Sequence, residues 1–135
     1  HGRFVMAQRK AHPRGIGPVD LDAYCQLSHV LVTEIGGSMR GYVDETLAAL
    51  GRQRSVVVSV EKFMLVPEIL RYSDYVCTLP SMLMSRFANV LDMFELPFDD
   101  GGFGLRMAWH PRNHVDPAVS WLREQVVGLV PGQPA

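Results

Sequence analysis

Three places in this 135-residue chain carry groups that a small ligand would use. One is the segment Gly36-Gly37-Ser38-Met39-Arg40-Gly41, which opens a stretch of helical spacing. The first N–H groups of a helix have no partner inside it and attract a carboxylate or phosphate. The segment matches neither GxGxxG nor the P-loop pattern, so it points away from a nucleotide, and a plain turn is the competing reading. Another is Glu61-Lys62-Phe63, directly behind the run SVVVSV at 55–60. Side chains at the carboxyl end of a parallel strand face the crevice in which α/β proteins bind ligands. Lys62 there offers an ammonium to an acidic ligand, although a lysine capping a solvated strand end is as common. The last is His29, at the head of the run HVLVT, which either bonds a ligand or packs as a structural histidine.

Other chemistry finds no support. His110 and His114 have the spacing of zinc ligands on a helix, but Pro111 breaks that helix and no glutamate completes HExxH, so a metal site is rejected. There is no GxSxG elbow and no reactive-cysteine signature around Cys25 or Cys77, and no cluster of titratable groups argues for an enzyme. No cofactor is implied. The methionines at 39, 64, 82, 84, 93 and 107 read as core filler.

The elements that must position these groups follow from hydrophobic period and breakers. Residues 4–8 read as a strand that ends before His12-Pro13 and the glycines at 15 and 17. Leu21, Tyr24 and Leu27 form one stripe behind an Asp20 cap, which predicts a short helix. The β-branched run 29–33, a helix bearing Val43, Leu47 and Leu50, and the run 55–60 make a βαβ crossover of two parallel strands, the second read as buried. A helix over 63–70 must keep Pro67 in its first turn. Strand 75–79 and a helix over 81–88 behind Pro80 repeat the alternation. Residues 91–96 and 104–109 read as further strands around a loop of turn residues. Asp116-Pro117 is an N-cap followed by proline at the first helical position, with Val119, Leu122, Val126 and Leu129 on one face of the helix it opens.

Apolar residues at 47 % and charged residues at 20 % predict a folded domain. Thirteen basic against fourteen acidic residues give a net charge of -1, which supplies no grip on a phosphate backbone. No apolar run is long enough to span a membrane, no signal-peptide layout is visible, and the two cysteines read as buried thiols of a cytoplasmic protein.

Several segments, read in order, resemble the effector-binding region of LysR-type transcriptional regulators: Phe4-Val5-Met6 through His12-Pro13, Leu27-Ser28-His29-Val30-Leu31-Val32, Arg40-Gly41-Tyr42-Val43-Asp44, Ser73-Asp74-Tyr75-Val76-Cys77-Thr78-Leu79-Pro80, and Trp109-His110-Pro111 with Asp116-Pro117 and Trp121-Leu122-Arg123. The resemblance covers most of the chain and is closest to the branch responding to aromatic compounds, which includes regulators of nodulation and of naphthalene and salicylate breakdown. It implies an α/β lobe of the type 2 periplasmic-binding-protein kind, with a mixed, mainly parallel sheet flanked by helices. On that mapping residues 1–130 are a truncated effector-binding region. Residues 13–100 are its second lobe, 3–9 and 104–110 the strands crossing the hinge, 116–129 a helix of lobe one, and 131–135 a mobile tail.

The resemblance also implies a function without bond chemistry. An aromatic or organic-acid inducer lies between the lobes, the protein self-associates as a dimer or tetramer, and DNA is met only through a winged helix-turn-helix outside this chain. His29, Thr33, Lys62, Phe63 and Phe103 are then the ligand-binding residues. Lys62 departs from the histidine or serine frequent in relatives and would meet a carboxylate, with Phe63 or Phe103 as an apolar wall. The rival class is a transporter's solute-binding protein, which shares the fold. A winged-helix sequence upstream favours the regulator and a signal peptide the rival.

Overall fold

A computed structural model of the chain describes residues 2–33 and 37–129. Gly36 of the glycine segment and the predicted tail 131–135 lie outside the described residues. The chain divides into two compact units, residues 1–104 and 105–135.

The first unit is built on a five-stranded sheet of β1 (Phe4–Arg9), β2 (Ser28–Val32), β3 (Ser55–Val60), β4 (Val76–Pro80) and β5 (Leu91–Phe94), in the order β3-β2-β4-β1-β5. β2 runs parallel to β3 and β4, whereas β1 lies antiparallel between β4 and β5. The predicted mixed sheet is therefore present, its antiparallel pairings as numerous as its parallel ones. From β2 the chain steps outward to β3 through α2 (Tyr42–Ala49), then returns across β2 to β4 through α3 (Val66–Arg71). Such a reversal opens a crevice at the carboxyl ends of the parallel strands.

Side chains along a strand alternate between faces, and this period sorts the core into two layers. Val5 and Ala7 of β1 join Val30, Cys77 and Leu79 under Val66 and Leu70 of α3 and Met84 of α4 (Ser81–Met84). Met6 and Val76, from the opposite face, meet Tyr24 of α1 (Leu21–Gln26) and Val43 and Leu47 of α2. Helices thus cover both faces. α1 starts where Asp20 accepts a bond from the Ala23 N–H at 2.8 Å. Pro67, which has no N–H to give, divides the predicted 63–70 helix into a 3-10 turn (Phe63–Leu65) and α3. The helix expected over 81–88 likewise ends early, as α4 and a 3-10 turn (Ser85–Phe87).

Three expectations are corrected. β3 is an edge strand with a neighbour on one side only, so it is not buried throughout, and Val57 remains 41 % exposed. Residues 104–110 form no strand: a strand needs a neighbour to take its N–H and C=O groups, and among the described residues this segment has none beyond the Gly2–Phe103 bridge that precedes it. Of the methionines read as filler, Met84 is fully buried, while Met39, Met64, Met82 and Met107 are exposed.

The second unit holds a 3-10 turn (Pro111–Asn113) and α5 (Pro117–Gly128). Asp116 caps α5 as expected, accepting from the Ala118 and Val119 N–H groups. Arg123 lies 4.4 Å above the Trp109 ring and donates to the His114 carbonyl at 3.0 Å. Trp121, Leu122, Val126 and Leu129 are exposed.

Candidate functional site

Four of the five predicted ligand residues lie at one end of the sheet. Thr33 follows β2 directly, its N–H bonded to the Val60 carbonyl at 3.0 Å, so the parallel ladder runs to the carboxyl ends of both strands. Lys62 comes two residues after β3 and is exposed, and Phe63, at 45 % exposure, opens the 3-10 turn behind it. β1 is antiparallel to β4 with Phe4 opposite Pro80, which brings the start of β1 to the same end as the finish of β4. Phe103 packs there, its ring centroid 5.0 Å from that of Phe4.

Around Phe103 the structure assembles a group that residue types alone did not single out. Phe4 stacks on Tyr42 at 6.0 Å and 28° between planes. The Tyr42 hydroxyl donates to the Asp100 carbonyl oxygen at 2.5 Å, while the Asp100 carboxylate accepts the Phe4 N–H at 3.2 Å. Gly2 and Phe103 exchange two backbone bonds of 2.9 and 3.0 Å. Three aromatic rings from distant parts of the sequence therefore gather at this end of the sheet. The signal available beforehand was the Gly41-Tyr42 pair opening a helix beside the glycine segment.

His29 is not brought to this edge. As the second residue of β2 it lies about 13 Å from Thr33, at the rise of about 3.3 Å per strand residue. It is also wholly inaccessible to solvent. Its Nε2 is 2.8 Å from the Tyr24 carbonyl oxygen, and burial, reinforced by nearby Arg54, pushes its pKa down to about 4. The ring is neutral at ordinary pH.

Between the two ends lies a buried polar network. Arg54, immediately before β3, meets Asp44 of α2 with Nε–Oδ1 at 2.8 Å and Nη2–Oδ2 at 3.0 Å. Asp44 Oδ2 also accepts the Gly41 N–H at 2.7 Å, which caps α2. Burial opposes the Asp44 charge, but the bonds from Arg54 and Gly41 prevail and hold its carboxyl below the usual range. The glycine-segment anion site thus meets competition from within, because the Gly41 N–H is taken by a carboxylate of the chain itself.

Two surface cavities lie away from the predicted residues. One of about 320 Å³ is lined by Arg9, Lys10, Arg71, Asn89 and Val90, and its three cations are each paired with an acid, Asp74, Asp92 and Glu68 respectively. The other, of about 430 Å³, lies between Ile16, Val19 and the β5 edge. No cluster of metal-ligating side chains occurs among the described residues, and no helix among them is long and apolar enough to cross a membrane.

A two-layered cover of helices on a mixed sheet, with exposed polar and aromatic groups at the carboxyl ends of its parallel strands, is the α/β fold of type 2 periplasmic-binding-protein lobes. Residues 1–130 match the family described as LysR substrate binding domain. The chain belongs to that family. It is 30 % identical over 128 residues to the HTH-type transcriptional activator NahR of Pseudomonas putida, covering 93 % of this chain and 42 % of NahR. Nodulation protein D 2 of Rhizobium tropici is 26 % identical over 125 residues, covering 90 % of this chain and 40 % of that protein. These relatives fall in the aromatic and nodulation branch to which the sequence pointed. The regulatory domain of MexT, a transcriptional activator in Pseudomonas aeruginosa, superposes with a TM-score of 0.80 at 30 % identity, covering 96 % of this chain and 62 % of that one. The chain spans about four-tenths of the length of the curated relatives it matches.

Proposed function

We propose that this regulatory domain senses a small aromatic or other carboxylic acid at the carboxyl ends of β2 and β3. Lys62 takes the carboxylate, Thr33 bonds beside it, and Phe63 and Phe103, joined by Tyr42, form the apolar wall. The observation carrying this reading is that Thr33, Lys62, Phe63 and the Phe4, Tyr42 and Phe103 rings occupy one end of one sheet, where the chain reversal opens a crevice. His29, read beforehand as a ligand contact, acts in this proposal as a packing residue because solvent has no access to it.

In this reading residues 13–100 are one lobe of a two-lobed sensor in a cytoplasmic regulator. Effector binding favours one lobe arrangement, and a dimer or tetramer passes the bias to winged helix-turn-helix heads supplied outside this chain. The experiment is titration of the intact regulator with benzoate and salicylate, by thermal shift and calorimetry. Lys62→Glu is expected to abolish binding and Lys62→Arg to retain it. Unchanged affinity in Lys62→Glu removes Lys62 from the site, and no binding of any carboxylic acid by the native protein overturns the ligand class.

A further inference from the structure

Among the described ion pairs, that of Arg54 and Asp44 is the one withdrawn from water on both sides, with side chains 2 % and 11 % exposed. A pair so buried adds little net stability over apolar residues of similar volume, because both charges lose their hydration. What it does supply is fixed geometry. The planar guanidinium bonds both Asp44 oxygens, and its Nη1 lies 3.4 Å from the Tyr24 hydroxyl, which is itself 2.7 Å from Thr78 Oγ1 in the middle of β4. Arg54 is thereby referenced to the sheet.

Asp44 passes that reference on. The oxygen that receives Arg54 Nη2 also receives the Gly41 N–H, and Gly41 is the N-cap of α2. Gly41 lies against Leu31 of β2, where an added Cβ would stand 2.8 Å from Leu31 Cδ1. The next residue is Tyr42, whose ring stacks on Phe4 and whose hydroxyl bonds the Asp100 carbonyl. An unbroken line of bonds runs from β4 through Tyr24, Arg54, Asp44 and Gly41 to the aromatic edge of the crevice.

We propose that Arg54 is a positioning residue for the effector crevice: entering from the opposite end of the sheet, it sets through Asp44 the turn that presents Tyr42 to the aromatic wall. Its functional half rests on the effector reading above, and its structural half stands apart from it. Lysine keeps the charge but loses the planar fork that bonds two oxygens and a hydroxyl together. Arg54→Lys in the intact regulator is therefore expected to speed amide exchange at Gly41, whose N–H bonds Asp44, by about tenfold, the loss of one cap bond, while β4 keeps its protection. Benzoate affinity, read by calorimetry, should fall by about the same factor.

A role confined to general stability predicts instead an even rise in exchange through β2, β4 and α2. That result, or native exchange at Gly41 in Arg54→Lys, overturns the proposal. Tyr42→Phe, which leaves the ion pair intact, gives a second reading should Arg54→Lys not fold: it should weaken benzoate binding with Gly41 protection unchanged, and native affinity in Tyr42→Phe would sink the link from turn to wall. If the native protein binds no carboxylic acid, the effector reading fails alone, and Gly41 exchange still decides what Arg54 does.

Discussion

The imidazole of His29 and the backbone carbonyl of Tyr24 meet at 2.8 Å inside the α1–α2 layer, with the two rings 4.6 Å apart at 57°. A carbonyl only accepts, so Nε2 carries the hydrogen and Nδ1 is left as the ring's acceptor. Nδ1 is buried and has no hydrogen-bond partner among the described residues. A second proton on the ring would thus be a charge without water and without a new acceptor, close to the Arg54 cation. This explains the depressed pKa of about 4 against an ordinary 6.5.

Acid should therefore weaken the fold through His29. Where a folded-state pKa is depressed, the unfolded chain binds the proton first, so stability is intact above 6.5 and falls as pH drops toward 4. Moving from pH 7 to pH 5 should cost about 2 kcal/mol, from ~1.4 kcal/mol per pH unit over the interval below the unfolded value. Urea denaturation at the two pH values measures it. A His29→Gln variant should show a much flatter profile over this range, and the same slope in that variant would assign the effect to another group.

Much of the scaffold was legible because single residues with stereochemical duties announce it. Asp20 and Asp116-Pro117 mark helix starts by capping chemistry, and Pro67 marks a break by lacking an N–H. The face that a residue takes and the edge that a strand occupies were not legible, since both are set by neighbours distant in sequence. SVVVSV reads as buried yet is an edge strand, and His29 near the start of β2 packs against Tyr24 of the layer under α1. Topology pointed to Lys62 at the carboxyl end of its strand, and Thr33 lies at the same end of the sheet, its N–H on the Val60 carbonyl. Tyr42 and Phe4 escaped notice because their contact spans a strand, a helix and a loop. The Arg54 partnership with Asp44 has no local pattern, although an aspartate three residues after Gly41 was a capping signal.

Breaking the buried ion pair should be far worse than removing it. Asp44→Ala leaves the Arg54 guanidinium buried without its counter-charge and takes away the Gly41 cap, and is expected to cost about 3–5 kcal/mol. The double variant Asp44→Leu, Arg54→Met should recover a large part of that loss, as the pair is exchanged for apolar volume. Chemical denaturation of the singles and the double decides the matter, and strict additivity of the two single losses would contradict it.

The two thiols should differ in reactivity and never bridge. Cys25 packs with the α1–α2 layer, whereas Cys77 belongs to the opposite face of the sheet under α3 and α4. Burial pushes the Cys77 thiol up to about 12, and raises Cys25 from a half-buried position. Since the thiolate is the nucleophile, iodoacetamide at pH 8 should label Cys25 first and reach Cys77 only as the domain opens. Mass spectrometry of partially labelled native protein reads the order, and early labelling of Cys77 would mean that the α3–α4 face opens readily.

Gly102 should be the most sensitive glycine near the crevice. Its φ of +62° lies in the left-handed region, and a Cβ there would stand 2.8 Å from the Gly2 carbonyl oxygen, a backbone atom with no side-chain freedom to retreat. That oxygen receives the Phe103 N–H, so Gly102→Ala must either strain its own backbone or break the Gly2–Phe103 pairing that holds the third aromatic ring. A left-handed backbone forced on a side chain costs on the order of 1–3 kcal/mol, before the clash is counted. Gly104→Ala is the control two residues on, where an added Cβ meets nothing within 4 Å. The expected result is faster exchange of the Phe103 amide and a lowered melting temperature for Gly102→Ala, with Gly104→Ala close to native. Equal behaviour of the two variants would mean that the Gly2–Phe103 pairing yields without cost, and would remove Phe103 from a preformed wall.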